Sequence, residues 1–270
     1  MAGLNSYRLP GIMPGAAAAL AGWIAFNSGS PAAGDSGAPD EQARAVLSSV
    51  ERKYASVSTL RYDVTRRVVS DRQAGEDSWT FFYSSPDKVR IDVHTPHERT
   101  VIVNGEEMVE YIPLLRKAVV TRLAGRAPEE REKIVSPVLS RVALEGIRPG
   151  LHAEMAAHAT RFDRAEGRPD EVVIEGDCPA YRVAVDTSRS VLLSMEVRET
   201  DGQVRVRAEA SDFVEAAPGF WMPTRLEWAQ AGSGGVARCE ARLSNVRVNG
   251  ELQDGLFALD LPSGTRVEKR

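Results

Sequence analysis

Four histidines and two cysteines hold most of the reactive side chains in this 270-residue chain. Their spacing decides what they could do. His94 and His97 bracket Thr95-Pro96. A zinc site needs further ligands and a rigid spacing, usually on one element. A proline turn between two histidines reads instead as a solvated loop. His152 and His158 are six apart, so on a helix they point to different sides and read as surface or helix-edge residues. Cys178 and Cys239 form an even pair, which in an oxidising compartment suggests a disulfide. It would close a loop of about 60 residues and add roughly 4 kcal/mol by loop-closure entropy. The other reading is two unpaired thiols on different strands. The acidic pairs Glu106-Glu107 and Glu129-Glu130 fall at a turn and at a helix start. The nucleophile elbow, dinucleotide and phosphate loops, H-E-x-x-H and C-x-x-C are all missing from the sequence. Neither metal nor cofactor is expected, and the chain is read as non-enzymatic.

What remains is an apolar inventory on strands. The stretch 40–57 is an amphipathic helix that Asp40 caps, with Ala43, Val46, Leu47, Val50 and Tyr54 on one face. The period then changes from 3.6 to 2. In TLRYDVTRRVV, Leu60, Tyr62 and Val64 alternate with Arg61, Asp63 and Thr65, the mark of a strand with one wet face. DSWTFFYSS puts Trp79, Phe81 and Tyr83 together. KVRIDVH does the same for Val89, Ile91 and Val93. Asn104-Gly105 signals a tight hairpin. Residues 125–146 break the run as helix, with Ile134, Val135, Val138, Leu139 and Val142 in a stripe and Pro137 predicting a kink. A second helix is predicted over 150–162, with Leu151, Met155, Ala159 and Phe162 on one side. Six more strands follow from about 170, including MPTRLEWAQ with Leu226 and Trp228. The pattern predicts ten or more antiparallel strands interrupted once by helices, in a sheet that curls on its dry face. Leu60, Tyr62, Trp79, Phe81, Tyr83, Val89, Ile91, Val93, Leu226 and Trp228 could line one concave surface. The competing reading makes them simple core.

Composition fits a soluble globular protein, with 43% hydrophobic and 27% charged residues. Net charge is −4 with both signs interspersed, so a nucleic-acid partner is not expected. Residues 11–26, GIMPGAAAALAGWIAF, follow a start carrying one charge, Arg8, and precede a small-residue stretch. That pattern predicts a signal peptide over 1–33, a linker over 34–39 and a single domain over 40–270. Export to the periplasm follows. An uncleaved inner-membrane anchor is the alternative, although the run is short of the roughly 20 residues a span needs.

The order of these elements resembles the LolA/LolB-like family of outer-membrane lipoprotein carriers. VLSSVERKYASVSTLRYDV is similar to the family's first helix and strand. WTFFYSSPDKVRIDV is similar to its strand, proline turn and strand. VIVNGEEMVEYIP resembles its hairpin, and LSNVRVNGELQDGLFALDLPSGTRV its closing segment. The resemblance implies a mainly β fold with α, a curled antiparallel sheet or incomplete β-barrel whose concave face is covered by helices. It implies a non-covalent hydrophobic cavity for acyl chains, with the ten residues above as its lining. Ile134, Val138, Leu139, Val142 and Met155 would form the lid. Lipoprotein acyl chains or other lipids are the expected ligands, inner- and outer-membrane proteins the expected partners, and a monomer the expected state. Family carriers place a lid-tethering arginine just before the turn proline. That position is Ser85 here, so the family's lid hydrogen bonds are not carried over. Two other readings stand beside this one: an envelope-sensing interaction module on the same fold, and an exported hydrolase.

Overall fold

The structure, a computed structural model, describes residues 40–70, 74–139, 151–168, 170–177, 180–199, 202–232, 235–253 and 255–270. The predicted signal peptide and linker lie outside them. Helix α1 spans Glu41–Ala55, and the Asp40 carboxylate accepts from the Ala43 amide at 2.9 Å, as the sequence predicts. Six strands follow: β1 (Thr59–Val69), β2 (Ala74–Ser84), β3 (Lys88–Thr95), β4 (Arg99–Asn104), β5 (Glu107–Ile112) and β6 (Lys117–Arg122). Then come α2 (Pro128–Leu139) and α3 (Leu151–Ala157). The second half contains β7 (Ala159–Arg164), β8 (Glu171–Asp177), β9 (Ala180–Asp186), β10 (Val191–Arg198), β11 (Val204–Ala217), β12 (Phe220–Gly232), β13 (Gly235–Val248) and β14 (Arg266–Lys269).

All fourteen strands form one curled, unclosed sheet, in the order β14-β6-β5-β4-β3-β2-β1-β13-β12-β11-β10-β9-β8-β7. The centre is the β1–β13 pair, which joins the two meanders. The expectation of a purely antiparallel sheet needs one correction. Strand β14 runs parallel to β6. After β13 the chain crosses the outward face and returns along the far edge. On the way Arg90 Nη1 donates to the Leu256 carbonyl at 2.9 Å. Arg90 stands opposite Ile102, which is 1% exposed on that outward face.

The second predicted helix also needs correction. Helix α3 ends at Ala157, and Ala159 to Arg164 pair with β8 as a strand. Alanine and histidine at 156–159 suit a helix locally, but the edge of β8 offers a full ladder of backbone partners, which wins. Pro137 lies inside α2 near its end.

The core divides in two. One cluster joins the inner faces of β1–β4 with those of β11–β13, and Ile134 and Val135 of α2 pack against it. The other joins α1 and α3 to β8–β11 through Leu47, Val50, Met155, Ile174, Val183 and Met195. Tyr54 packs against both.

Candidate functional site

The ten candidate residues are brought onto one face by strand register. Leu60, Tyr62 and Val64 stand opposite Tyr83, Phe81 and Trp79. Those in turn stand opposite Val89, Ile91 and Val93. Val103 and Val101 continue the rows onto β4. Across the centre, Leu243 faces Val64, and Leu226 faces Ala241. Tyr62 and Phe81 stack with centroids 4.9 Å apart. Seven of the ten are buried, with Tyr62, Phe81 and Ile91 at most 1% exposed. Tyr83, Val93 and Trp228 are half-buried and pack against the same cluster.

The inner face also carries charge, at the end of the β1 alternation. Arg66 occupies the next inward position after Leu60, Tyr62 and Val64. It is 8% exposed, lies over the Trp79 ring at 4.9 Å, and donates Nε to Asp77 at 2.9 Å. Trp79 Nε1 is out of solvent and has no hydrogen-bond acceptor among the described residues.

Of the expected lid residues, Ile134 packs against this face. The side chains of Val138 and Leu139 and all of Val142 fall outside the described residues. Met155 belongs elsewhere: it is 1% exposed in the α1–α3 cluster, and its carbonyl accepts from the Tyr181 hydroxyl at 2.6 Å.

Helix α2 is held at its outer end by a charge the sequence did not single out. Arg131 Nη2 donates to the Gly105 carbonyl at 2.7 Å and to Asp87 Oδ2 at 3.2 Å. Asp87 sits in the turn after Pro86, and Gly105 in the β4–β5 turn. Gly105 has φ +88°, and a Cβ there would lie 2.8 Å from Asp87 Oδ2, so glycine admits the carboxylate. The arginine at this turn is thus supplied by the helix and not by the position before Pro86, which is Ser85.

The remaining reactive residues are structural in their geometry. Thr80 stands between Asp63 and His94, donating its hydroxyl to Asp63 Oδ1 at 2.7 Å and meeting His94 Nε2 at 2.9 Å. A hydrolytic triad needs the base between hydroxyl and carboxylate. Here the hydroxyl is in the middle and its proton is committed to Asp63. Partial burial opposes the Asp63 charge, but hydrogen bonds from Asn245 and Thr80 outweigh it and hold the carboxyl below its ordinary range. His152 corrects the surface reading. It is fully buried, stacked on Tyr54 at 5.5 Å, with Nδ1 3.1 Å from Glu51 Oε2. Packing of α3 against α1, a contact remote in sequence, buries it.

Of the two readings of the cysteine pair, the structure favours the unpaired one. Cys239 is a free thiol, 6% exposed on the inner side of β13, and burial pushes its pKa up to about 12. Cys178 lies outside the described residues. Its flanking strands, β8 and β9, are at least four positions from β13, roughly 19 Å at one strand spacing each.

Among the described residues no group of three His, Cys, Asp or Glu could hold a metal, and no helix is long and apolar enough to cross a membrane.

No family model matches the sequence, and no curated protein does. Solved structures do match the fold. A LolA superfamily protein from Nitrosomonas europaea aligns at TM-score 0.50 and 13% identity, over 80% of this chain and 97% of that one. A DUF1329 family protein from Desulfovibrio piger aligns at TM-score 0.55 and 14% identity, over 82% and 98%. A domain named for outer membrane lipoprotein sorting, from Vibrio parahaemolyticus, aligns at 0.51 and 10%, over 81% and 97%. The chain therefore has the LolA-like fold.

Proposed function

We propose that this protein is a periplasmic binder and carrier of acylated molecules, with the inner face of β1–β4 and β11–β13 as the ligand wall and α2 as the movable cover. The observation that carries the proposal is the continuous apolar face from Val101 to Leu226, capped by Ile134 and Val135 from a helix that Arg131 ties to the neighbouring turns. The LolA-like fold supports it. Energetics permit it. Ten buried methylenes gain about 8 kcal/mol before ordering costs. Displacing two half-buried aliphatic side chains costs at most about 3–6 kcal/mol. The gross gain from burying ten methylenes is thus of the same order as the cost of exposing those two side chains, and longer acyl chains tip it further. No covalent step is required, and the Asp63–Thr80–His94 order supports a non-enzymatic role.

A second reading is an envelope-sensing interaction module without transport. The close packing of Tyr62, Phe81 and Ile91 favours it.

Native mass spectrometry with lipid extraction, on protein purified from the periplasm, tests the first reading. Co-purifying phospholipid or acylated peptide is expected. A brominated fatty acid should quench Trp79, with the quenched component lost in Trp79→Phe and binding lost in Val89→Glu. A clean apo mass with no Trp79 quenching would overturn the carrier and leave the interaction module.

A further inference from the structure

The outward face of the sheet is a lattice of paired charges. Arg225 and Arg242 both reach Glu240, and Arg198 and Arg207 both reach Glu196. Among the described residues, one directly opposed pair of arginines has no carboxylate between them of the kind Glu240 supplies to Arg225 and Arg242. Arg61 on β1 and Arg247 on β13 stand directly opposite in register. Like charges so placed are destabilising. Neither makes an ion pair among the described residues, although both face the same way. Asp63 is near enough for Arg61 to stabilise its charge, but its two oxygens are occupied by Thr80 and Asn245.

Arg61 is also half desolvated. Its guanidinium lies 5.6 Å from the centroid of the Phe82 ring, and its Nε is out of solvent with no acceptor among the described residues. A charged donor left in that state costs stability unless something binds it. Both arginines line a groove of about 400 Å³ whose far wall is the stretch after β13, presenting Leu252 and Leu256.

That wall is fixed in place. Asn249, at φ +54°, accepts from the Ser58 amide through Oδ1 at 2.7 Å. Its own amide donates to the Thr59 carbonyl at 2.8 Å, and the Thr59 hydroxyl donates to the Gly250 carbonyl at 2.6 Å. Arg90 holds the other end at Leu256. The groove is thus preformed, with two guanidinium groups that make no ion pair among the described residues on one side and leucine on the other. Paired forks match the oxygens of a phosphate group, and leucine with Phe82 suits an apolar substituent beside it.

We propose that Arg61 and Arg247 form an outward-facing site for a phosphate group carrying an apolar neighbour, such as a phospholipid head or a free phosphate ester. This site is separate from the acyl-binding face and does not depend on it. Glu251 lines the rim without pairing either arginine, so it opposes anion entry and sets a sign that binding data can check.

The test uses the full chain in three arms: inorganic phosphate, glycerol 3-phosphate, and phosphatidylglycerol against phosphatidylcholine vesicles. Binding is followed by calorimetry or co-sedimentation at matched ionic strength, because screening weakens any exposed charge contact. Arg61→Gln and Arg247→Gln should each weaken binding by about 10- to 100-fold, the usual range for a lost charged hydrogen bond. Glu251→Gln should tighten it. The ligand-free melting temperature should stay level or rise in Arg247→Gln, since a repulsion is removed. Preference for the soluble phosphates assigns a free ester; preference for phosphatidylglycerol vesicles assigns a lipid head. Arginine variants that bind all three as the wild type does, or a wild type that binds none, overturn the site. Trp79 quenching by brominated fatty acid should persist in every variant, so failure here is distinguishable from failure of the acyl-binding reading.

Discussion

Replacing Arg131 with alanine should loosen α2 without unfolding the sheet. The side chains of Arg131 and Asp87 are 36% and 44% exposed, so their ion pair at 3.2 Å contributes only about 0.2–1 kcal/mol. The bond to the Gly105 carbonyl is shorter, at 2.7 Å, and partly buried. As a charged donor on a neutral acceptor it adds roughly 1–1.5 kcal/mol. Loss of both should favour the open state by about 1.5 kcal/mol, close to tenfold. If opening admits ligand, apparent affinity and association rate for an acyl probe should rise by about the same factor. Hydrogen exchange measures this directly. The amides of Ile134 and Val135 should exchange about tenfold faster, while those of Tyr62 and Phe81 keep their rates, because local opening exposes the helix alone. Arg131→Lys should recover only part of the effect, since the ammonium sits on a flexible stem that loses more rotamer entropy on being fixed than the planar guanidinium does. Unchanged exchange at Ile134 and Val135, or uniform acceleration across the sheet, would refute the reasoning that Arg131 latches a movable helix.

Lys53 should make stability rise in mildly alkaline solution. Burial first, then the charge of Arg189, lower its pKa from 10.5 to about 8, although its ammonium donates to the Trp221 carbonyl at 2.6 Å. Between those two values the unfolded chain holds a proton the folded chain has released, so the Lys53 contribution grows as pH rises from 8 towards 10.5. Urea midpoints across that window should climb in the wild type relative to Lys53→Met; parallel curves would remove this assignment. Gly176→Ala should destabilise by about 3 kcal/mol, typical of overpacking, because a Cβ there would lie 2.1 Å from Tyr181 Cε1 and 2.6 Å from the His158 carbonyl. Chemical denaturation measures it, and a loss within a few tenths of a kcal/mol would show that Tyr181 yields freely.

Strand faces were readable because their period is local. Tyr62, Phe81 and Ile91 lie on the expected face because alternation in a strand leaves no other choice once one face is dry. The Asp40 cap and the Asn104-Gly105 turn are local in the same way. What alternation does not encode is which elements meet. Met155 reads as lid material by its stripe, yet α3 packs on α1 and Tyr181, forming a second core. His152 reads as exposed for the same reason. Strand β14 is four residues long, and its parallel pairing with β6 depends on a return across the sheet that no periodicity marks. Arg131 reaches partners 26 and 44 residues away in sequence, so its position on α2 gives no hint of its role. The Arg61–Arg247 groove was hidden similarly: each arginine reads as an ordinary outward residue until the register places them side by side.

The two halves of the molecule are not held equally, and the difference says which helix moves. Helix α1 is fixed by directional bonds as well as packing. Lys53 donates to three carbonyls, those of Trp221, Arg189 and Ser190. Tyr54 stacks on His152 and meets Phe220 edge-on at 6.0 Å. Ala43, Leu47 and Val50 are all 0% exposed. Each of those contacts must break for α1 to leave. The contacts of helix α2 include Ile134 and Val135 against the inner face and the Arg131 tie to the two turns. If α2 is the movable cover, opening it should cost less than displacing α1, and exchange protection should order accordingly. Amides of Leu47 and Val50 should approach the global unfolding limit, while those of Ile134 and Val135 exchange through a local opening of lower free energy. Denaturant dependence separates the two: exchange at α1 should steepen with urea, whereas exchange at α2 should be nearly flat at low urea. Equal, steep dependence in both helices would mean that α2 opens only when the whole sheet unfolds, and no acyl chain could then enter beneath it.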